Sequence, residues 1–378
     1  MPTKPLIADL PQYSLGTRHA LHVYRYGTAG ARPKVYVHAG LHADELAAHL
    51  VAHHLVMLLE EAEAQSAVTG DITIIPVANP IGLNQMVLSD HLGRYDLSSG
   101  GNYNRGFPDV SDQVSAAVEN RLSDDAGANH AVVAEAIHSQ LEAIEPKSET
   151  QALQLALMGH AHDCDVVLDL HTDSEAELHL YLDPDNWPGA TDLAAELDAA
   201  VVMLARGSGG RPFEETVAAP WFAVRTRFGA DVVALPLTTV IELRGYTDAF
   251  DELASRDATA LFRFLQRRGA IAGDPGPQPA FTGIVAPFEA TDLVTSPVAG
   301  IVAFKQELGA TVAEGDLIAE IVDVSSNDPT HCRTPVYAKT SGRLFTRCLT
   351  KRTRPGGLIA KIQGTEPIPS RTGYLLSD

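Results

Sequence analysis

The sequence is poor in cysteine and in basic residues, and it contains no long apolar run. Its three cysteines form no Cys-x-x-Cys pair, so neither a disulfide framework nor a thiolate zinc site is predicted, and a reducing compartment is the simplest interpretation. No stretch reaches the roughly 18 apolar residues that a membrane-spanning helix needs. The N-terminal segment is broken by two prolines and does not resemble a signal peptide. We therefore expect a cytoplasmic protein that has no membrane partner.

The shortage of lysine and arginine also limits the partners. The chain has 28 basic and 48 acidic residues, which gives a formal net charge of -20. Nucleic acid is excluded, because phosphate binding requires a basic surface. The acidic surplus attracts cationic substrates, although adaptation of the solvated surface is the simpler explanation. We expect a small-molecule substrate, and the oligomeric state, a homo-oligomer included, is left open.

Strand-like and helix-like segments alternate over residues 1–280. Strands are expected at 34–40, 71–78, 165–170, 178–182 and 238–243. Helices are expected at 44–65, 128–144, 149–160, 191–204 and 251–267. This alternation predicts an α/β fold in which helices cover both faces of a sheet.

The composition changes at residues 273–279, where three prolines and two glycines mark a linker. Only short strands follow, and a weak repeat of strand, glycine turn and strand occurs at 296–321 and 339–362. We predict one domain over residues 1–280 and a smaller all-β barrel or sandwich over 281–378. The smaller domain resembles biotinyl/lipoyl-type domains. It lacks a lysine between its halves, which favours a structural or gating module over a swinging arm.

Candidate metal ligands follow two of the predicted strands. His42 and Glu45 stand three residues apart at a helix start and so project to the same side. Such a pair alone is weak support, but His171 lies at the carboxyl end of another strand, where ligands gather in open α/β sheets. Two histidines and a carboxylate around an open position are a known arrangement of catalytic zinc. Asp169 either orients a ligand histidine or caps the following loop.

Two further motifs are candidates for the substrate side. Glu242 lies within an apolar strand, where an unpaired carboxylate is unfavourable, so it either pairs with Arg244 or faces a cleft. Facing a cleft, it would serve as general base and acid. Asn104 and Arg105 lie in a glycine-rich stretch. The arginine fork matches a carboxylate, although a solvated turn is the alternative.

The order of these motifs, together with Asn79-Pro80, resembles the succinylglutamate desuccinylase/aspartoacylase family of the zinc carboxypeptidase-like superfamily, over about residues 34–250. Within it, the chain looks like the predicted bacterial deacylases. The resemblance implies a carboxypeptidase-like mixed sheet flanked by helices, with an unmodified lipoyl-like β domain behind it. It also implies one zinc ion per chain. The roles that it implies for single residues are zinc binding by His42, Glu45 and His171, general base and acid catalysis by Glu242, and binding of the substrate carboxylate by Asn104 and Arg105.

Some details depart from the family pattern. The family turn is Gly-x-His-Gly-x-Glu, whereas Ala43 follows His42 here. Arg94 is the candidate for a family arginine upstream of the Asn-Arg pair, and Arg244 competes with Arg225 and Arg227 for a further substrate arginine. The implied activity is zinc-dependent hydrolysis of an amide bond in an N-acyl amino acid or related small molecule. A metallocarboxypeptidase acting on short peptides and a non-catalytic binding protein are the alternatives.

Overall fold

The computed structural model describes residues 4–371 and Leu375. Its strands are β1 (Leu6–Asp9), β2 (Ala20–Gly27), β3 (Lys34–Ala39), β4 (Asp71–Ile75), β5 (Met86–Val87), β6 (Asp90–His91), β7 (Val166–Asp173), β8 (Glu175–Ala176), β9 (His179–Leu182), β10 (Val201–Leu204), β11 (Leu237–Gly245), β12 (Ile284–Pro287), β13 (Thr291–Thr295), β14 (Gly300–Phe304), β15 (Thr311–Val312), β16 (Leu317–Val322), β17 (Arg333–Tyr337), β18 (Gly342–Arg347), β19 (Arg352–Thr353) and β20 (Leu358–Gln363). Its helices are α1 (Leu46–Ala64), α2 (Pro80–Leu83), α3 (Ser111–Val118), α4 (Ala126–Glu142), α5 (Glu149–Ala161), α6 (Thr191–Glu196), α7 (Phe213–Phe228) and α8 (Asp251–Arg267). Within the described residues, no helix has the length and apolar character needed to span a bilayer.

A nine-stranded mixed sheet forms the centre of the fold, in the order β1-β2-β4-β3-β7-β11-β9-β10-β12. Strands β4, β3, β7 and β11 are parallel neighbours, so their carboxyl ends meet at one edge. In this register Ala39 lies opposite Leu170, and Glu242 lies opposite His171. The sheet therefore brings to one place the residues that end or follow these strands.

Helices cover both faces of the sheet, as the sequence predicts. Helices α1, α6 and α8 pack on one face, where Leu55 and Phe264 are fully buried. Helices α3, α4, α5 and α7 pack on the other face around Trp221. Strand β3 contributes to both cores because its side chains alternate, with Val37 in the first core and Tyr36 in the second.

Two antiparallel sheets form the C-terminal region, with the orders β13-β20-β18-β15 and β17-β16-β14-β19. They share an apolar core of their own, and we refer to residues 291–363 as the β module. Strand β12, just before it, joins the edge of the central sheet beside β10, and β8 pairs with β18 of the module. Arg343 also donates to Glu177 at 2.6 Å, so the module is joined to the sheet by strand pairing and by ion pairs.

Two segments differ from the expectation. The helix predicted over 191–204 ends at Glu196, and its last four residues form β10, because a short apolar run suits a buried strand as well as a helix. The sequence pattern does not predict α7, since glycines at 207–210 and the prolines Pro212 and Pro220 indicate a loop. In the structure α7 begins directly after Pro212 and keeps Pro220 in its interior.

Candidate metal centre and catalytic cavity

The predicted metal ligands lie together at the carboxyl edge of the central sheet. His42 follows β3 through a turn at Gly40, whose φ of 72° lies in the left-handed region. A Cβ at this glycine would lie 2.0 Å from the ring of His49, so the turn requires glycine. Glu45 directly precedes α1, and His171 lies near the end of β7. All three side chains are buried, and their ligand atoms lie within 4.8 Å of one another.

Both imidazoles present the same nitrogen to the same carboxylate. Nδ1 of His42 lies 2.9 Å from Oε1 of Glu45, and Nδ1 of His171 lies 2.8 Å from Oε2. The backbone N–H of Thr172 donates to the same Oε2 at 2.8 Å, which fixes the carboxylate. The two Nδ1 atoms and the carboxylate therefore converge from two segments of the chain, the turn that holds His42 and Glu45 and the end of β7.

The Nε2 atoms of the two imidazoles, which point away from Glu45, have hydrogen-bond partners of their own. Nε2 of His42 donates to Oδ1 of Asn102 at 2.8 Å, and Nε2 of His171 donates to Oδ1 of Asp169 at 2.8 Å. Of the two alternatives for Asp169, the contact with a candidate ligand histidine is thus present. Partners of this kind set the tautomer and the ring orientation of metal-binding histidines.

A buried polar chain continues behind Asp169. Nε2 of His38 donates to Oδ1 of Asp169 at 2.7 Å, and the hydroxyl of Tyr36 donates to Nδ1 of His38 at 2.9 Å. All three side chains are fully buried. The sequence analysis does not single out Tyr36 and His38, although their signal is visible: two polar residues alternate with valines in β3 and so share one face.

The electrostatics of this group fit a divalent cation. Burial and the nearby Arg94 lower the pKa of His42 to about 4, so that its Nδ1 is a free base at neutral pH. Burial alone would raise the pKa of Glu45, but the two histidines hold it well below its usual range. Burial opposes a charge on His171 as well, but Asp169 and Glu45 raise its pKa well above its ordinary value. Two imidazoles and an ionised carboxylate are the donor set of catalytic zinc sites.

Ala43 occupies the position at which the family turn has a glycine. Its side chain is fully buried, and Gly82 and Gly93 lie against it. A Cβ at either glycine would approach the Cβ of Ala43 to 3.1 and 3.0 Å. These two glycines make room for the additional methyl group, so the turn places its ligands without a clash.

Glu242 enters a cavity of about 670 Å³ from β11, the strand beside β7. The cavity is also lined by His42, His171 and Arg105. Within the described residues, no hydrogen-bond partner reaches Oε2 of Glu242. Burial, and then the charge of Glu45, raise the pKa of Glu242 to about 8. A carboxyl group with a pKa near neutrality is suited to both accepting and returning a proton.

Two arginines also line this cavity. Nη1 of Arg94 lies 3.1 Å from Nδ1 of His42 and donates to Oε1 of Glu45 at 3.3 Å, so Arg94 reaches the candidate metal centre directly. Arg105 lies in the wall, where its Nη1 donates to the carbonyl of Asn104 at 2.7 Å. The cavity thus contains one cation beside the candidate metal ligands and another in its wall.

Asn104 has contacts that position other parts of the site. Its amide oxygen accepts the backbone N–H of Phe213 at 2.9 Å, at the start of α7. Its Nδ2 lies 3.4 Å from Nε2 of His171. Asn104 therefore lies between helix α7 and a candidate ligand, a position that the motif does not predict.

Arg244 lies outside the cavity, contrary to the expectation that it binds substrate. Its guanidinium donates to both carboxylate oxygens of Asp257 on α8, at 2.6 and 2.8 Å. The register of β11 shifts between Glu242 and Gly245, and Arg244 has a φ of 69°. Because this irregularity interrupts the alternation of side chains, Arg244 turns away from the face that Glu242 occupies. The same turn removes the alternative in which the two residues pair.

The β module contributes to the cavity wall. Lys361 on β20 lines the cavity, and its Nζ donates to Oδ2 of Asp173 at 2.6 Å. Asp173 ends β7, two residues beyond His171. The module also supplies Leu293 and Leu358 to the lining. The sequence carries no local signal for these contacts, because Lys361 and Asp173 are 188 residues apart.

The fold and this site define an α/β protein with a candidate metal centre at the carboxyl edge of its mixed sheet. Residues 31–139 match the model of the succinylglutamate desuccinylase/aspartoacylase catalytic domain. The match confirms the resemblance that the motifs indicate over these residues, and the matched family is one of deacylating hydrolases. The comparison with curated proteins finds no match.

Solved structures share the fold over nearly the whole chain. A succinylglutamate desuccinylase/aspartoacylase family protein from Shewanella amazonensis is 24% identical, with a TM-score of 0.83 over 95% of this chain and 98% of that one. A Shewanella frigidimarina protein described by the same family name is 22% identical, with a TM-score of 0.82 over 96% and 97%. The product-bound ectoine utilization protein EutE from Ruegeria pomeroyi is 16% identical, with a TM-score of 0.66 over 97% and 99%. At these identities the likeness shows the common fold.

Proposed function

We propose that the protein is a zinc-dependent deacylase that hydrolyses the amide bond of an N-acyl amino acid or a related small molecule. The observation that carries the proposal is the buried convergence of His42, Glu45 and His171 beside Glu242 in one cavity. The family match adds support, because this family acts on small N-acyl amino acids. Arg105 in the same cavity provides a fork for the substrate carboxylate.

Each residue has a distinct part in the proposed reaction. The three ligands would hold one zinc ion, which when bound supplies a Lewis acid and lowers the pKa of water to about 7. Glu242 accepts a proton from the attacking water and returns it to the departing nitrogen. Arg94, beside Glu45, is placed to stabilise negative charge that develops on the acyl oxygen. Arg105 orients the substrate through its carboxylate, and Asn104 keeps α7 and His171 in position.

The experiment compares the wild type with Glu242→Gln on a panel of N-acetyl and N-succinyl amino acids and short peptides. The substitution keeps the shape of the side chain but removes the base, so kcat should fall by roughly 10²- to 10⁴-fold. Zinc content, measured by elemental analysis, should stay at one ion per chain, because Glu242 is not a ligand. Glu252→Gln, an exposed glutamate on α8, is the matched control and should leave kcat unchanged.

Two outcomes would contradict the proposal. Release of C-terminal residues from peptides without hydrolysis of any N-acyl amino acid would identify a carboxypeptidase instead. A protein that takes up no stoichiometric zinc and turns over nothing on the panel would be a binding protein.

A further inference from the structure

Glu214 is a buried carboxyl group to which the proposed reaction assigns no role. It is the second residue of α7, only 8% exposed, and it lines the cavity that holds His171 and Glu242. The start of α7 is fixed by the hydrogen bond between Phe213 and Asn104, so the side chain is held at this depth. Within the described residues, no hydrogen-bond partner reaches Oε2 of Glu214.

Other acidic groups around the cavity have partners. Asp173 accepts from Lys361 at 2.6 Å, and Asp183 accepts from Arg206 at 2.7 Å. Glu215, next to Glu214 in the helix, accepts the backbone N–H of a serine at 2.9 Å. In the part of the chain that the structure describes, no lysine or arginine pairs with Glu214. Within the described residues, Glu214 is therefore the only carboxyl group of the cavity wall, besides the proposed base, that has a buried oxygen without a hydrogen-bond partner.

The position of Glu214 at a helix start does not explain its burial. An acidic residue in the first turn stabilises a helix from an exposed position as well. Burial of a carboxyl group without a partner is unfavourable, and here it occurs at the wall of a cavity that a ligand can enter. Burial, and then Glu215 and Asp169, raise the pKa of Glu214 to about 8. A cation beside it would favour the ionised form of this carboxyl group at neutral pH.

We propose that Glu214 binds a positively charged amino group of the substrate, so that the preferred substrates are N-acylated diamino acids. Such a molecule has one acylated nitrogen, one free ammonium group and a carboxylate. The ammonium group is placed at Glu214 and the carboxylate at Arg105, and these two residues line the same cavity. The net charge of -20 draws in cations over a longer range. This inference rests on the proposed deacylase function.

The test compares kcat/KM for pairs of substrates that differ only in the free amine. One pair is Nα-acetyl-L-ornithine and Nα-acetyl-L-norvaline, and the other is Nδ-acetyl-L-ornithine and 5-acetamidopentanoate. The wild type should prefer at least one of the ornithine derivatives over its neutral counterpart by roughly 10- to 100-fold, the value of a charge-assisted hydrogen bond. In Glu214→Gln this ratio should fall to about one. The control Asp231→Asn, an exposed change just beyond α7, should keep the wild-type ratio.

Inhibition of the wild type by free amino acids gives a second measurement that needs no variant. L-ornithine should inhibit at a concentration roughly tenfold or more below that of L-norvaline. Equal kcat/KM values within both pairs, or a preference that Glu214→Gln retains, would overturn the inference while deacylation of the neutral substrates still supported the proposed function. Absence of hydrolysis for every N-acyl substrate would overturn the proposed function, and this inference with it.

Discussion

Replacement of Asp169 by asparagine tests how the candidate metal centre is held. Oδ1 of Asp169 accepts from His171 at 2.8 Å and from His38 at 2.7 Å, and the carboxylate is fully buried. Asparagine keeps the size and one acceptor oxygen but removes the charge. His171 then loses the charged partner on its outer nitrogen, and zinc bound at its Nδ1 should be held less firmly.

The magnitude follows from two independent estimates. Loss of such an outer partner weakens metal affinity by roughly 10- to 100-fold, which is about 1.4 to 2.7 kcal/mol. Exchange of a hydrogen bond to a charged group for one to a neutral group gives about 1 to 1.5 kcal/mol. Both ranges include a tenfold rise of the zinc Kd of Asp169→Asn.

The assay is competition for zinc against a chromophoric chelator, with circular dichroism to show that the variant is folded. Asp165→Asn is the matched control, because Asp165 precedes the same strand at its opposite end and contacts Arg32 there. Its zinc Kd should equal that of the wild type. An unchanged Kd in Asp169→Asn, or an equal loss in both variants, would refute the assignment of Asp169 as the support of His171.

Two further predictions concern the contacts around the cavity. Lys361→Met should lower the free energy of unfolding by about 3 kcal/mol, because Asp173 then loses its ion-pair partner and the two side chains are only 13% and 17% exposed. Adding Asp173→Asn to this variant should recover most of the loss of Tm. If the double variant shows no recovery, loss of the ion pair is not the cause of the destabilisation. Burial lowers the pKa of His179 to about 4, so protons bind the unfolded chain more tightly and stability should decline as the pH falls from about 6.5 towards 4. In His179→Gln the Tm measured over this range should decline less steeply, and an identical slope would contradict the assignment.

The metal ligands are the part of the site that the sequence predicts best. They lie at or just after the carboxyl ends of short apolar strands, and parallel strands bring these ends together, so the local pattern predicts that His42 and His171 meet. The residues that hold these ligands in place are harder to predict from the sequence. Asn102 is predicted only as part of a glycine-rich stretch, and its contact with His42 depends on how that loop closes over the edge of the sheet.

Other features are lost where local pattern and tertiary structure disagree. Helix α7 is obscured by glycines and prolines, and Glu214 is missed with it. Strict alternation along β11 would place Arg244 on the same face as Glu242, but the irregularity after Glu242 reverses it. The place of Lys361 depends on the packing of the whole β module, which no window of sequence contains.

The β module contributes side chains to the cavity wall but none to the candidate metal centre. The three ligand side chains are fixed by β3, α1 and β7, whereas Leu293, Leu358 and Lys361 belong to strands that make no contact with those ligands in the hydrogen-bond pattern. Substitutions in this β segment would therefore reshape part of the cavity wall while the three candidate ligands stay in place. In the proposed deacylase, part of the surface that meets the substrate is thus encoded far along the chain from the candidate metal centre.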